Sequence, residues 1–113
     1  MRGSVLVVDD DSGFLRLAST VLNRAGLRVV ATADTAAAAL SAAARHRPEA
    51  MLVDVDLPDR SGADLGRDLA ALPWAPRVVL TSCDRDAGRL ASLPFVPKEE
   101  LPGAPLRELL TGS

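Results

Sequence analysis

Short runs of Val, Leu and other apolar residues recur along this sequence and alternate with segments whose apolar residues repeat at helical spacing. Such runs, with few polar interruptions, are typical of strands in a parallel sheet that is covered on both faces. We predict strands at 4–8, 27–31, 50–53 and 77–80. We predict helices at 12–25, 35–45 and 63–72. Strands that alternate with helices along the chain predict an α/β domain with a parallel sheet between two helical layers.

The last third of the chain is less regular, because four prolines crowd it at positions 94, 97, 102 and 105. The residues from Asp84 to Leu93 leave room for only a short fourth helix. We expect a brief fifth strand at Phe95 and Val96, and a last helix from Pro105 to Leu110 that has proline in its first turn.

Length and composition limit the classes of protein that this chain can belong to. We expect one domain over residues 1–113, and no apolar run approaches the roughly 20 residues of a membrane-spanning helix. The apolar stretch near the N-terminus is too short for a secretory signal. The single cysteine, Cys83, suits a reducing compartment and is expected to be an inert, packed thiol. We therefore predict a cytoplasmic protein without membrane contact, and the net charge of -2 gives no case for direct nucleic-acid binding.

Polar residues follow the predicted strands at the points where ligands bind in open parallel sheets. They are Asp9 and Asp10 after the first strand, Asp54 after the third, Thr81 after the fourth and Lys98, the only lysine, after the fifth. Aspartate between a strand and a helix is often only a cap or turn residue. Several carboxylates at one edge, however, repel one another unless a cation offsets their charge. The pattern therefore predicts a site for a hard cation.

The chemistry of these residues points to phosphoryl transfer. Mg²⁺ prefers oxygen ligands and is commonly held by one or two carboxylates together with phosphate oxygens, which suits Asp10 and Asp54. A carboxylate of ordinary pKa is ionised at neutral pH, so Asp54 could attack phosphorus without a general base. Lys98 and Thr81 would then stabilise the charge on the transferred group.

Four motifs, in order along the chain, resemble those of response-regulator receiver domains. They are Val5-Leu6-Val7-Val8-Asp9-Asp10-Asp11, Met51-Leu52-Val53-Asp54-Val55-Asp56-Leu57-Pro58, Val78-Val79-Leu80-Thr81-Ser82 and Phe95-Val96-Pro97-Lys98. The resemblance covers nearly the whole chain. It implies a flavodoxin-like, doubly wound sheet of five parallel strands in the order 2-1-3-4-5, here with a shortened fourth helix.

The resemblance also implies roles for individual residues. Asp54 would be the phosphorylated residue. The ligands of Mg²⁺ would be Asp9, directly or through water, Asp10, Asp54 and the main-chain carbonyl of Asp56. Thr81 and Lys98 would contact the phosphoryl group, and Phe95 matches the aromatic switch position that turns inward on activation.

The resemblance implies a phosphorelay. The donor would be a sensor histidine kinase or a phosphotransfer protein, and the output would pass to a partner protein or to an effector domain of a longer regulator. The chain itself would not be a metabolic enzyme and would catalyse only its own phosphorylation and slow autodephosphorylation.

Two departures from the family pattern lie near the output region. The stretch between Thr81 and Phe95 is short, and Pro97-Lys98-Glu99 lacks the cis proline that usually follows the lysine. We therefore expect phosphorylation with an altered readout.

Two other functions compete with this interpretation. A degenerate receiver would bind partners independently of phosphorylation, as the shortened stretch after Thr81 could suggest. Asp54-Val55-Asp56 also resembles the nucleophile motif of haloacid dehalogenase-like phosphatases, although it falls in mid-chain and 113 residues leave little room to enclose a substrate.

Overall fold

Five parallel strands form one sheet in the order β2-β1-β3-β4-β5 in the computed structural model, which describes residues 3–87 and 92–112. The strands are β1 (Ser4–Val8), β2 (Arg28–Ala33), β3 (Ala50–Asp54), β4 (Arg77–Ser82) and β5 (Phe95–Pro97). The predicted α/β class and the order implied by the family resemblance are both confirmed. The strand order reverses between β1 and β3, which places a ligand crevice at their carboxyl ends.

Side-chain caps set the starts of the three longer helices. The helices are α1 (Ser12–Arg24), α2 (Ala36–His46), α3 (Gly62–Ala70) and a short α4 (Leu106–Thr111). Asp11, Thr35 and Ser61 each accept a hydrogen bond from a main-chain N–H in the first turn, as N-caps do. A 3-10 helix at Lys98–Gly103, which was not predicted, fills the proline-rich stretch before α4.

The sheet is buried on both faces, which explains the continuous apolar runs of its strands. Along β1, Val5 and Val7 pack with α1 and α4, whereas Leu6 and Val8 pack with α2 and α3. Because successive side chains of a strand point to opposite faces, each run fills two separate apolar layers.

The segment after β4 departs most from expectation. We predicted a short helix between Asp84 and Leu93. Residues 84–87 form a bend and a turn, and residues 88–91 lie outside the described residues. The prediction that Cys83 is a packed thiol was wrong: Cys83 is exposed, because the chain leaves the sheet after Ser82. In the described parts of the chain, no helix is both long and apolar enough to cross a bilayer.

Candidate functional site

The predicted site residues meet at the carboxyl edge of the sheet. Asp9 follows β1 directly, Asp54 ends β3, and Lys98 begins the 3-10 helix that follows β5. Thr81 is the register partner of Asp54 in the neighbouring strand. Since all the strands are parallel, their carboxyl ends lie together, and the sequence prediction of one shared site is supported by the fold.

Asp9, Asp10 and Asp54 each offer a carboxylate oxygen, and these oxygens all lie within 4.8 Å of one another. Asp9 and Asp54 are buried, at 0% and 3% exposure, whereas Asp10 is exposed. Oxygen ligands grouped with one side open to solvent suit a cation that keeps some of its water, as Mg²⁺ does. The residues present therefore fit a divalent cation.

Lys98 provides the positive charge closest to these acids. Its Nζ lies 2.6 Å from Asp9 Oδ2 and 3.6 Å from Asp54 Oδ2, and 4.4 Å from the centre of the Phe14 ring. Burial lowers the pKa of Lys98, but the hydrogen bond to Asp9 and the charges of Asp54 and Asp9 outweigh it, so the pKa is raised overall. The ammonium therefore stays charged beside both buried carboxylates.

Burial raises the pKa of Asp54 to about 6, the main opposing influence being the hydrogen bond from the main-chain N–H of Asp56. The charge of Asp9 raises this pKa further, and the charge of Lys98 lowers it. The sequence argument took the ordinary aspartate pKa for Asp54, and burial corrects it. Asp54 is still mainly ionised at pH 7, but its buried charge destabilises the folded protein. A bound cation would reduce this destabilisation.

The hydroxyl of Thr81 is fully buried, and its Oγ1 has no hydrogen-bond partner among the described residues. Leaving a buried hydroxyl unpaired costs free energy, so such groups call for an explanation, often a missing ligand or ion. Thr81 stands beside Asp54 in the sheet. Its free donor is therefore available to a group bound to that carboxylate.

The β3–α3 loop (55–61) is fixed at both ends. The N–H of Gly62 donates to the carbonyl of Val55 at 2.8 Å, and Asp56 forms a bridge with Ser61. Gly62 packs directly on the main chain of β3: a Cβ at this position would lie 2.7 Å from the Cα of Val55 and closer still to the carbonyl of Asp54. Only glycine allows this approach, which holds Asp54 in place.

Two polar residues support the site without having been predicted to do so. The carboxylate of Asp59 accepts hydrogen bonds from the main-chain N–H groups of Ala36 and Ala37, at 2.8 and 3.0 Å, and so ties the loop to the start of α2. Ser82 Oγ donates to Asp56 Oδ2 at 3.2 Å. Both residues lie within or beside the recognised motifs, but contacts between distant segments leave no signal in the sequence.

The remaining predicted roles concern Asp56 and Phe95. The exposed side chain of Asp56 is engaged with Ser82, and the predicted metal ligand is its main-chain carbonyl, which stays a prediction. Phe95 is half-buried, pairs in register with Leu80 and packs against the apolar layer of α2 and α3. Its role as a switch likewise stays a prediction.

Comparison with known proteins identifies the family. A family model described as the response regulator receiver domain matches residues 5–93. The chain therefore belongs to the response-regulator receiver family.

Curated relatives agree with this assignment. The transcriptional regulatory protein KdpE of Mycobacterium tuberculosis is 38% identical over 89 residues, which cover 79% of this chain and 39% of KdpE. The transcriptional regulatory protein PdtaR of the same organism is 31% identical over 120 residues, covering 93% of this chain and 58% of PdtaR. The chain thus spans about two fifths of KdpE and under three fifths of PdtaR.

Solved structures share the fold. The signal receiver domain of the putative response regulator NarL from Mycobacterium tuberculosis matches with a TM-score of 0.77 at 27% identity, covering 91% of this chain and 92% of that one. This protein is a receiver domain of the two-component type, a family that generally uses Mg²⁺.

Proposed function

We propose that Asp54 accepts a phosphoryl group from the phosphohistidine of a sensor kinase or phosphotransfer protein, and that this changes the binding of an output partner or effector domain. The observation that carries the proposal is the buried Thr81 hydroxyl, which has no hydrogen-bond partner among the described residues. It stands beside a buried aspartate that lies 3.6 Å from a lysine ammonium. A carboxylate, a free hydroxyl donor and a cation together suit the capture of a phosphoryl group.

In the transfer step, an Oδ atom of Asp54 attacks phosphorus while the P–N bond to the donor imidazole breaks. The imidazole keeps the bonding electron pair, and Asp54 gains an acyl phosphate. Thr81 donates its hydroxyl hydrogen to a phosphoryl oxygen, and Lys98 moves part of its hydrogen bonding from Asp9 to the same group. Mg²⁺ held by Asp9, Asp10, Asp54 and the carbonyl of Asp56 would neutralise charge on the phosphoryl oxygens.

The proposed activity is limited to the protein's own phosphorylation and slow autodephosphorylation. Each phosphoryl group that enters stays on Asp54 until water or a partner removes it. Donor and protein should therefore react in a 1:1 ratio, without sustained turnover of small phosphate esters.

The test is incubation with acetyl phosphate and Mg²⁺, followed by intact-mass measurement. Wild type should gain one phosphoryl group, and Asp54→Asn and a sample in EDTA should gain none. Thr81→Ala should be labelled about 100-fold more slowly, because it loses a donor to the transferred group. An unlabelled but folded wild type would refute the proposal, and labelled Asp54→Asn would move the acceptor elsewhere.

Two further results would favour the competing functions. Partner binding that is unchanged in Asp54→Ala and indifferent to acetyl phosphate would support a phosphorylation-independent binding module. Continuous hydrolysis of small phosphate esters would support a phosphatase.

A further inference from the structure

A cavity of about 600 Å³ lies at the edge of the sheet opposite the carboxylates, beside the amino ends of β1, β3 and β4. We call it the amino-edge cavity. Its lining includes Arg47, Arg77, Arg107, Glu49 and Trp74. Three guanidinium groups against one carboxylate make it positively charged in a chain whose net charge is -2. Its volume falls in the range of small-ligand sites.

The three arginines are held in position by neighbouring elements. Arg77 Nε donates to the carbonyl of Leu109 at 3.1 Å, and an Nη atom of Arg107 donates to the carbonyl of Gly26 at 3.3 Å. The guanidinium of Arg47 stacks on the ring of Trp74, 4.4 Å from its centre. These contacts use one N–H or the flat face of each guanidinium and leave further N–H donors for a ligand.

None of these three arginines forms an ion pair with a carboxylate in the parts of the chain that the structure describes. Arg60, Arg67 and Arg85, by contrast, are each paired with at least one acid. Among the described lining residues only Glu49 offsets the three arginines, so the amino-edge cavity keeps a net positive charge that could attract an anion.

The walls of the cavity also show local strain and a fixed aromatic ring. Arg47 and Ala75 have φ angles of 44° and 47°, and among the described residues they are the only non-glycine positions with positive φ. Non-glycine residues are uncommon in this conformation, and Arg47 adopts it as the C-cap residue that ends α2. Trp74 Nε1 donates to the carbonyl of Pro48 at 2.8 Å, which fixes the indole that supports Arg47.

We propose that the amino-edge cavity binds a small phosphorylated ligand, with Arg77 and Arg107 contacting phosphate oxygens and the Arg47–Trp74 stack forming one wall. The planar fork of arginine matches phosphate oxygens through paired N–H bonds. An adjoining cavity shares Arg47 and Glu49 and adds Arg28 and His46, so the basic surface extends along this edge. This site is separate from Asp54, and its test does not depend on phosphorylation.

The test is NMR titration of the metal-free protein in EDTA at low ionic strength with pyrophosphate and with AMP. Under these conditions the carboxyl edge repels anions. We expect saturable shifts at the amides of Gly3, Ala75 and Thr111, which line the amino-edge cavity. Mapping on wild type needs no variant and so cannot be confused with misfolding.

Variants then test the contacts. Arg77→Gln and Arg107→Gln should each weaken binding about tenfold or more, as expected for loss of a charged hydrogen bond. Arg16→Gln, an exposed arginine on α1 outside the cavity, should change binding less than twofold. Absence of saturable shifts, equal weakening by Arg16→Gln, or binding of an acidic peptide at this cavity but of neither phosphate probe would overturn the proposal.

Discussion

The β3–α3 loop (55–61) and the described parts of the β4–β5 segment (83–87 and 92–94) follow the strands that carry Asp54 and Thr81, but they are held by different interactions. The first is closed by main-chain hydrogen bonds, by the contact of Gly62 with β3 and by Asp59 bonded to the start of α2. In the described part of the second, Arg85 forms ion pairs with Glu99 and Glu100, and all three side chains are at least 49% exposed.

This difference separates the region that would accept a phosphoryl group from the region that would pass the change to a partner. Exposed ion pairs contribute little to stability, whereas close backbone packing and buried carboxylates allow little adjustment. Asp54 is therefore held in place before any ligand arrives, whereas the exposed ion pairs of Arg85 with Glu99 and Glu100 can be broken at small cost. One departure from the family pattern, the short stretch after Thr81, falls in the second region, where we expect the response to phosphorylation to differ. The predictions below test this contrast.

The largest effect should come from Gly62→Ala. The added methyl group would overlap the main chain of Asp54 and Val55, which cannot move without displacing β3. We expect a loss of about 3 kcal/mol or more in the free energy of unfolding, measured in urea. Gly103→Ala is the control, because no other atom lies within 4 Å of the added Cβ, and it should stay within about 0.5 kcal/mol of wild type. Equal stability of the two variants would contradict the close packing of Gly62 against β3.

Asp54→Asn should stabilise the metal-free protein at pH 7.5 by about 1–3 kcal/mol. The pKa of about 6 in the folded state exceeds the ordinary value of 3.8, so ionised Asp54 destabilises the folded state above pH 6. This cost fades as the pH falls from 6 toward 3.8, and the advantage of Asp54→Asn should fade with it.

Thermal unfolding in EDTA across pH 4 to 8 measures this difference. Asp10→Asn, which alters an exposed carboxylate of the same cluster, is the matched control and should have a smaller effect. If Asp54→Asn were more stable than wild type by the same amount at every pH, the buried charge of Asp54 would not be the cause.

Asp59→Ala should lower the free energy of unfolding, by less than Gly62→Ala does, because the N–H groups of Ala36 and Ala37 lose their acceptor. Those hydrogen bonds lower the pKa of Asp59, so its contribution is present above the ordinary aspartate pKa and is lost as the pH falls below it. Asp59→Asn keeps one acceptor oxygen and should recover part of the loss. Weaker Mg²⁺ binding in Asp59→Ala than in Asp59→Asn, measured by calorimetry, would show that the hydrogen bonds of Asp59 to α2 help to position the metal ligands of the loop.

The smallest effect should come from Arg85→Ala. Loss of its exposed pairs with Glu99 and Glu100 should leave the free energy of unfolding close to the wild-type value, and added salt should remove any difference. Labelling by acetyl phosphate should stay within about twofold of wild type. A loss of stability as large as that of Asp59→Ala, or a large change in labelling, would contradict the weak role assigned to these exposed pairs.

Much of the fold and the site could be predicted because local patterns determine them. The doubly buried strands give continuous apolar runs, and Asp9, Asp54 and Thr81 follow or end those runs, so parallel pairing brings them together. The 3-10 helix at Lys98–Gly103 could not be predicted, since proline-rich stretches have several conformations of similar energy. Cys83 was misjudged because its exposure depends on where β4 ends.

The sequence by itself determined the α/β alternation, the identity of the acidic pocket and the family, because short-range periodicity and strand-end residues specify them. Only the tertiary structure decided the raised pKa of Asp54, the burial of the Thr81 hydroxyl without a partner in the described parts of the chain, and the contacts of Gly62 and Asp59. It also assembled Arg47, Arg77 and Arg107, which lie far apart in the chain, around one cavity. Burial, close approach and charge clustering depend on distances between segments, and those distances exist only in the folded chain.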